Sequence, residues 1–203
     1  LPKIVDKEAK KLEIMRAALG VFAKNGVANT KMAEIAEAAG IGKGTIYEYF
    51  QDKNDIFMET FKHFMNIVET TRGKRLLRLK DPVEKLKVII TGWIDIFEEF
   101  GYEFIRIMLE FWAEGIRSNP DRLITGSIDL KQFYADYRFI IINILDEGVE
   151  SGKFRPINTT LTAAILIGAL DGLMLQWALD ASNFSLKDAN EQLYQNLIEG
   201  IMK

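Results

Sequence analysis

The 203-residue sequence predicts an all-α protein of about nine helices, with a three-helix N-terminal domain followed by a larger helical domain. Three observations carry that prediction. Apolar residues recur along the chain at the i, i+3, i+4 spacing of a helix face. Stop and start signals separate the periodic segments. Residues 30–53 have the spacing of two short helices joined by a tight turn.

A first helix is expected from Asp6 to Lys24, with Ile14, Ala18, Val21 and Phe22 on one face and Asn25-Gly26 ending it. Thr30 is a good N-cap residue for a second helix that Gly40 closes, and a third follows from Gly42 to Phe50. Small Ala36 admits close helix approach, Gly40 supplies a turn position where φ > 0 costs nothing, and Ile46 plugs the third helix onto the second. Ile35, Ala39 and Ile41 fill the apolar positions between them. Together these residues meet the steric requirements of a helix-turn-helix, a DNA-reading element, and they set the expected domains at residues 1–53 and 54–203.

The larger domain opens at the capping group Asp52-Lys53-Asn54-Asp55, after which a fourth helix runs through Phe57, Phe61, Phe64, Met65 and Val68 towards Leu79. Asp81-Pro82 starts a fifth, which Gly101 is expected to interrupt, leaving Phe104, Met108, Phe111 and Trp112 on a sixth. A seventh helix spans about Ile128 to Ser151 and an eighth about Thr159 to Ala181. Ser185 and Asp188 form a capping-box variant for the ninth.

Composition excludes several chemistries. Cysteine is absent and histidine occurs once, which removes disulfide frameworks, thiol nucleophiles and the usual zinc sites, so no catalytic, metal or cofactor site is expected. Gly42-Lys43 is not a phosphate loop, because Glu37 stands where the first glycine belongs and Gly44 follows the lysine. Residues 1–7 hold no apolar run of signal-peptide length, so a cytoplasmic location is expected. Leu161 to Leu179 approaches membrane-spanning length, but an ionised Asp171 at mid-bilayer is costly, so a buried helix and no membrane are expected. The net charge is −3, yet residues 1–53 carry nine Lys or Arg against seven Asp or Glu, a local +2. Lys3, Lys7, Lys10 and Lys11 read as a flexible basic arm. Arg72, Lys74, Arg75 and Arg78 read as a solvated face near the end of the fourth helix.

The run Gly42-Lys43-Gly44-Thr45-Ile46-Tyr47-Glu48-Tyr49-Phe50 resembles the recognition helix of the tetracycline-repressor (TetR) family of bacterial regulators. The likeness extends upstream through Phe22-Ala23-Lys24-Asn25-Gly26 and Thr30-Lys31-Met32-Ala33-Glu34-Ile35-Ala36, and downstream to Lys53. Glu110-Phe111-Trp112-Ala113-Glu114 and the segment from Gly148 to Phe154, followed by that from Gly168 to Leu173, also look like family members. The resemblance implies a homodimer that puts each third helix into the major groove of a palindromic double-stranded operator, while its C-terminal helices enclose an effector. The implied DNA contacts are Thr30 and Lys31 at a helix start, Gly42 and Gly44 for close backbone approach, and Lys43 for a guanine edge or a phosphate. Thr45, Tyr47 and Tyr49 would reach phosphates or thymine methyls, and Lys53 resembles the family's phosphate-clamping lysine. Gly42 stands where many relatives carry serine, and Glu48 where an aromatic is frequent; Glu48 is expected to face solvent.

Aromatic density marks the expected effector cavity, with Trp93, Phe97, Phe104, Met108, Phe111, Trp112, Tyr134, Tyr137 and Trp177 as its candidate lining. Dimer contacts are expected from Leu161, Ile165, Gly168, Gly172, Leu175 and Leu179 on the eighth helix, with Leu193 and Leu197 on the ninth. The expected function is a homodimeric repressor released from its operator by a small hydrophobic effector. The alternatives are a DNA-binding regulator controlled by a protein partner and, more remotely, a helical enzyme or carrier, for which no reactive constellation is present.

Overall fold

The computed structural model describes residues 6–117 and 130–203, apart from the side chains of residues 93, 95–104, 106, 107, 114, 115 and 117. The fold is all-helical, as expected. Among the described residues the helices are α1 (Lys7–Asn29), α2 (Met32–Ala38), α3 (Lys43–Ile46), α4 (Lys53–Leu76), α5 (Pro82–Arg117), α6 (Leu130–Glu150), α7 (Thr159–Leu179) and α8 (Leu186–Ile201). Gly101 does not interrupt α5, so the fifth and sixth expected helices are one. One interior glycine costs a helix only about 1 kcal/mol relative to alanine, less than the packing of Leu86, Ile89, Ile90, Ile105, Met108 and Phe111 along the same helix returns.

The helices form two compact units, one from Leu1–Asn66 with Arg106–Ile128 and one from Ile67–Ile105 with Asp129–Lys203. The first therefore reaches beyond the boundary expected at Lys53. Phe57 meets Phe22 of α1 edge-on at 5.9 Å between ring centroids, and Phe61 stacks on Phe111 at 3.9 Å, so the first half of α4 belongs to this core. Lys7, Lys10 and Lys11 of the expected basic arm lie on α1. Asp6 caps α1 by accepting from the Glu8 and Ala9 amides, Lys10 pairs with Glu13 at 2.6 Å, and Lys11 sits over the Phe50 ring. Lys3 lies outside the described residues.

In the second unit, Leu86, Ile89 and Ile90 of α5 pack with Tyr137, Ile141, Ile144 and Leu145 of α6, Ala163, Leu166 and Ile167 of α7, and Tyr194 and Ile201 of α8. The segment after α6 closes this core. Gly152 turns the chain at φ +72, Phe154 donates its amide to the Gly148 carbonyl at 2.9 Å, and the buried Phe154 ring packs directly against Gly148. Arg155 then donates to Ile201 O and Lys203 to Lys153 O, tying the turn to the end of α8.

A methyl group at Gly148 would lie 1.9 Å from the Phe154 ring. Alanine at an open helix position stabilises by up to about 1 kcal/mol over glycine, but here the sign should reverse. Gly148→Ala is expected to destabilise by about 1–3 kcal/mol, read as a fall in thermal midpoint of several degrees by circular dichroism. An unchanged or raised midpoint would contradict this packing.

Candidate nucleic-acid interface

The turn between α2 and α3 is built as its residues demand. Gly40 has φ +64, the left-handed geometry that a side chain would strain, and Ile41 donates its amide to Ala36 O at 2.9 Å. Ile35 and Ala36 are buried from the α2 side and Ile46 from the α3 side; Ala39 and Ile41 are half-buried. The third helix is shorter than the expected Gly42–Phe50. Only Lys43–Ile46 is α-helical, and the chain continues in tighter turns in which Glu48 donates to Thr45 O and Tyr49 to Ile46 O. Phe50, 2% exposed, is the second anchor, so Ile46 and Phe50 hold this stretch from below.

The opposite face is open. Lys43, Gly44, Tyr47 and Glu48 are exposed, Tyr47 at 51%, while Thr45 and Tyr49 are half-buried at its margins. Neither Gly42 nor Gly44 is required by the protein's own packing. Gly42 has an ordinary φ of −67, a Cβ there would make only ordinary contact with Thr45, and a Cβ at Gly44 would meet nothing within 4 Å.

Thr30 does not cap α2. It is 2% exposed, and its hydroxyl donates to Gly26 O at 2.8 Å, across the point where Gly26 (φ +72) breaks the helical geometry of α1. Lys31 takes the N-cap position, exposed, with its amide bonded to the Glu34 carboxylate at 2.7 Å. Thr30 is thus a structural residue whose hydroxyl cannot face a phosphate. Lys53 is half-buried and donates its ammonium to Ala28 O, which ties the start of α4 to the end of α1. Asp52 caps α4 through the Asn54 and Asp55 amides, and Asp55 in return accepts from the Gln51 amide.

The residues expected to line an effector cavity are divided between the units. Met108, Phe111 and Trp112 lie in the first, where Met108 and Phe111 are buried in its core. Tyr134, Tyr137 and Trp177 lie in the second. Tyr137 is buried, and Tyr134 donates its hydroxyl to Asp171 at 2.6 Å. Burial pushes the Asp171 carboxyl above the usual carboxylate range, and the Tyr134 hydrogen bond opposes that shift. Trp177 lines an open cleft of about 440 Å³ with Ile94, Phe184, Leu186 and Lys187. The side chains of Trp93, Phe97 and Phe104 lie outside the described residues.

On α7, Leu161, Ile165, Gly168, Leu175 and Leu179 are exposed, Ile165 at 72%, and Gly172 is half-buried. Leu193 and Leu197 differ from this group, being half-buried against the core of their own unit. Sequence reasoning missed Arg72, whose buried Nη1 is not part of a solvated face; its partner ring, Tyr137, is far away in sequence.

Known proteins agree with this architecture. Residues 14–60 match the family described as bacterial regulatory proteins, tetR family, and residues 82–202 match the C-terminal domain of the BetI-type transcriptional repressor. The fatty acid metabolism regulator protein of Bacillus subtilis (strain 168) is 25% identical over 198 residues, covering 96% of this chain and 97% of that one. The solved structure of FadR from Bacillus subtilis in complex with stearoyl-CoA superposes with a TM-score of 0.76 at 23% identity, covering 94% of this chain and 98% of that one. A transcriptional regulator from Saccharomonospora viridis in complex with choline gives 0.79 at 20% identity, covering 97% and 99%. The chain belongs to the TetR family of bacterial transcriptional regulators, a non-enzymatic family, and carries a C-terminal domain of the BetI repressor type.

Proposed function

We propose that this regulator is a homodimeric repressor that binds a palindromic operator through the exposed face of α3 and leaves it when a small, mainly hydrophobic effector enters the second unit. One observation carries the DNA half. Lys43 and Tyr47 stand outward on a seat locked by Ile46 and Phe50, between two glycines that the chain's own packing does not need. Glycines without an internal reason fit a surface that a DNA backbone approaches closely. Lys43 reads a guanine edge or a phosphate, Tyr47 with Thr45 and Tyr49 at the margins completes the contact, and Lys31 takes the phosphate role first expected of Thr30. Lys53 supports the same surface from the start of α4.

The homodimer is supported by α7. Its exposed Leu161, Ile165, Gly168, Leu175 and Leu179, with the half-buried Gly172, fall four, three, four, three and four apart along one stripe, the seam of a helix that packs on another helix. The helix is long and apolar enough to cross a membrane, but Ala163, Leu166 and Ile167 on its other face are core residues and Asp171 is bonded to Tyr134. A second copy of α7 is the cover these observations favour, with a cytoplasmic protein working on DNA. Two recognition helices must then fall about 34–36 Å apart, or a multiple of this, to meet successive major grooves. The relatives crystallised with stearoyl-CoA and choline support a small-molecule effector. The element α4, continuous from Lys53 to Leu76, is the lever. A ligand that prefers one placement of it needs a coupling of about 1–3 kcal/mol to change DNA affinity roughly 5–150-fold.

Titration of genomic operator fragments, read by fluorescence anisotropy at several salt concentrations, tests the DNA contacts. Lys43→Ala should weaken binding by about 1–3 kcal/mol if it reads a base, and uniformly with a shallower salt slope if it holds a phosphate. Unchanged affinity would refute the assignment. Gly44→Ala should separate stability from function, raising the thermal midpoint through a gain of up to about 1 kcal/mol while weakening operator binding; equal or tighter binding would contradict close approach.

For the dimer, light scattering should give twice the 23.2 kDa chain mass. Ile165→Glu should shift that mass to the monomer and abolish operator binding, whereas a monomeric wild-type chain that still binds a palindrome tightly would overturn the dimer.

A further inference from the structure

Arg72 is out of keeping with the charge run in which it lies. Lys74 and Arg75, two and three residues later on α4, are exposed, but the Arg72 guanidinium lies 5.1 Å from the centroid of the Tyr137 ring. Its Nη1 is shut off from solvent and, among the described residues, has no hydrogen-bond partner. Arginine stays charged at any physiological pH. A buried guanidinium N–H without an acceptor is therefore a cost that the unliganded fold does not recover.

Several acids of the second unit are engaged with other partners. Tyr134, one helical turn before Tyr137 on α6, has drawn the Asp171 carboxylate to itself at 2.6 Å. Glu147 is paired with Lys85 at 2.5 Å, Asp81 with Lys153 at 2.7 Å and Glu191 with Lys87 at 3.0 Å. Arg72, Tyr134, Tyr137 and Asp171 all belong to the second unit. Among the described residues Arg72 is thus a cation with an unpaired buried N–H beside an aromatic ring, in the unit where an effector is expected.

Building on the effector reading above, we infer that Arg72 is the receptor for an anionic oxygen group, a carboxylate or a phosphate, on an otherwise apolar effector. The anion accepts the orphaned Nη1–H in a charge-assisted hydrogen bond. Tyr137 holds the guanidinium over its ring face by a cation–π contact. The same arrangement disfavours a quaternary ammonium ligand at this place, because a cation is already over the Tyr137 face that such a ligand would use and would repel it.

Four probes of equal chain length separate the possibilities when titrated into the full-length protein by calorimetry below their micelle concentrations: laurate, lauroyl-CoA, dodecanol and dodecyltrimethylammonium. At least one of the two anions should bind more tightly than dodecanol and the ammonium, laurate if the group is a carboxylate and lauroyl-CoA if it is a phosphate. Arg72→Gln should weaken the preferred anion about ten- to hundredfold and leave dodecanol unchanged, and Arg72→Lys should restore part of the loss. Thermal midpoints of both variants show that they fold. Operator binding by the ligand-free variants is followed in parallel. Its retention alongside lost anion affinity supports the inference, while its absence in the wild type would instead remove the repressor reading. Equal or tighter binding of the ammonium or the alcohol, full anion affinity in Arg72→Gln, or no binding of any probe by the wild type would overturn the role of Arg72.

Discussion

The burial of Ile46 and Phe50 beneath the turn is the constraint on which the DNA-reading surface depends. One turn of α-helix has too few internal hydrogen bonds to hold itself in water, and α3 is only Lys43–Ile46. Its direction is therefore set by its packing on α2 and by the burial of Ile46 and Phe50, not by its own helicity. Ala36 keeps the seat shallow enough for Ile46 to enter, and Gly40 turns the chain into it. With Ile46 and Phe50 inward, the period of the backbone leaves Lys43 and Tyr47 outward.

The second unit is organised around α7, whose two faces have different partners. Ala163, Leu166 and Ile167 meet the core, and the opposite stripe from Leu161 to Leu179 meets solvent in the isolated chain. That division explains why the helix reads as uniformly apolar although much of it is uncovered. Two charged groups, Arg72 and Asp171, are drawn into the same unit, and they are not paired with one another. Tyr134 satisfies Asp171 through its hydroxyl, while Tyr137 presents its ring face to Arg72.

Features governed by neighbours in sequence were legible before the structure. The Gly40 turn, the Ile35, Ala36 and Ile46 contacts, the Ser185 cap of α8 and the break at Gly26 all follow from local backbone rules. The order of the helices is legible for the same reason. What was misread depends on longer reach. Thr30 has the right side chain for an N-cap, but the broken end of α1 offers its hydroxyl the Gly26 carbonyl first, and Lys31 takes the cap. Gly101 looks like a stop because propensity alone ignores the packing that carries a 36-residue helix across it. Arg72 looks solvated because its ring partner, Tyr137, is supplied by another helix. Leu193 and Leu197 show the register of α8 but not which of two apolar surfaces it meets.

Hydrogen–deuterium exchange of the full-length protein, with and without its operator duplex, bears most directly on the claim that the buried Ile46 and Phe50 seat aims α3 at DNA. The account predicts new protection concentrated in peptides spanning residues 42–49, with the amides around Ile35 and Ile46 already slow to exchange in the free protein. Rapid exchange at Ile35 and Ile46 in the free state, or DNA-induced protection confined to α6–α8, would contradict it.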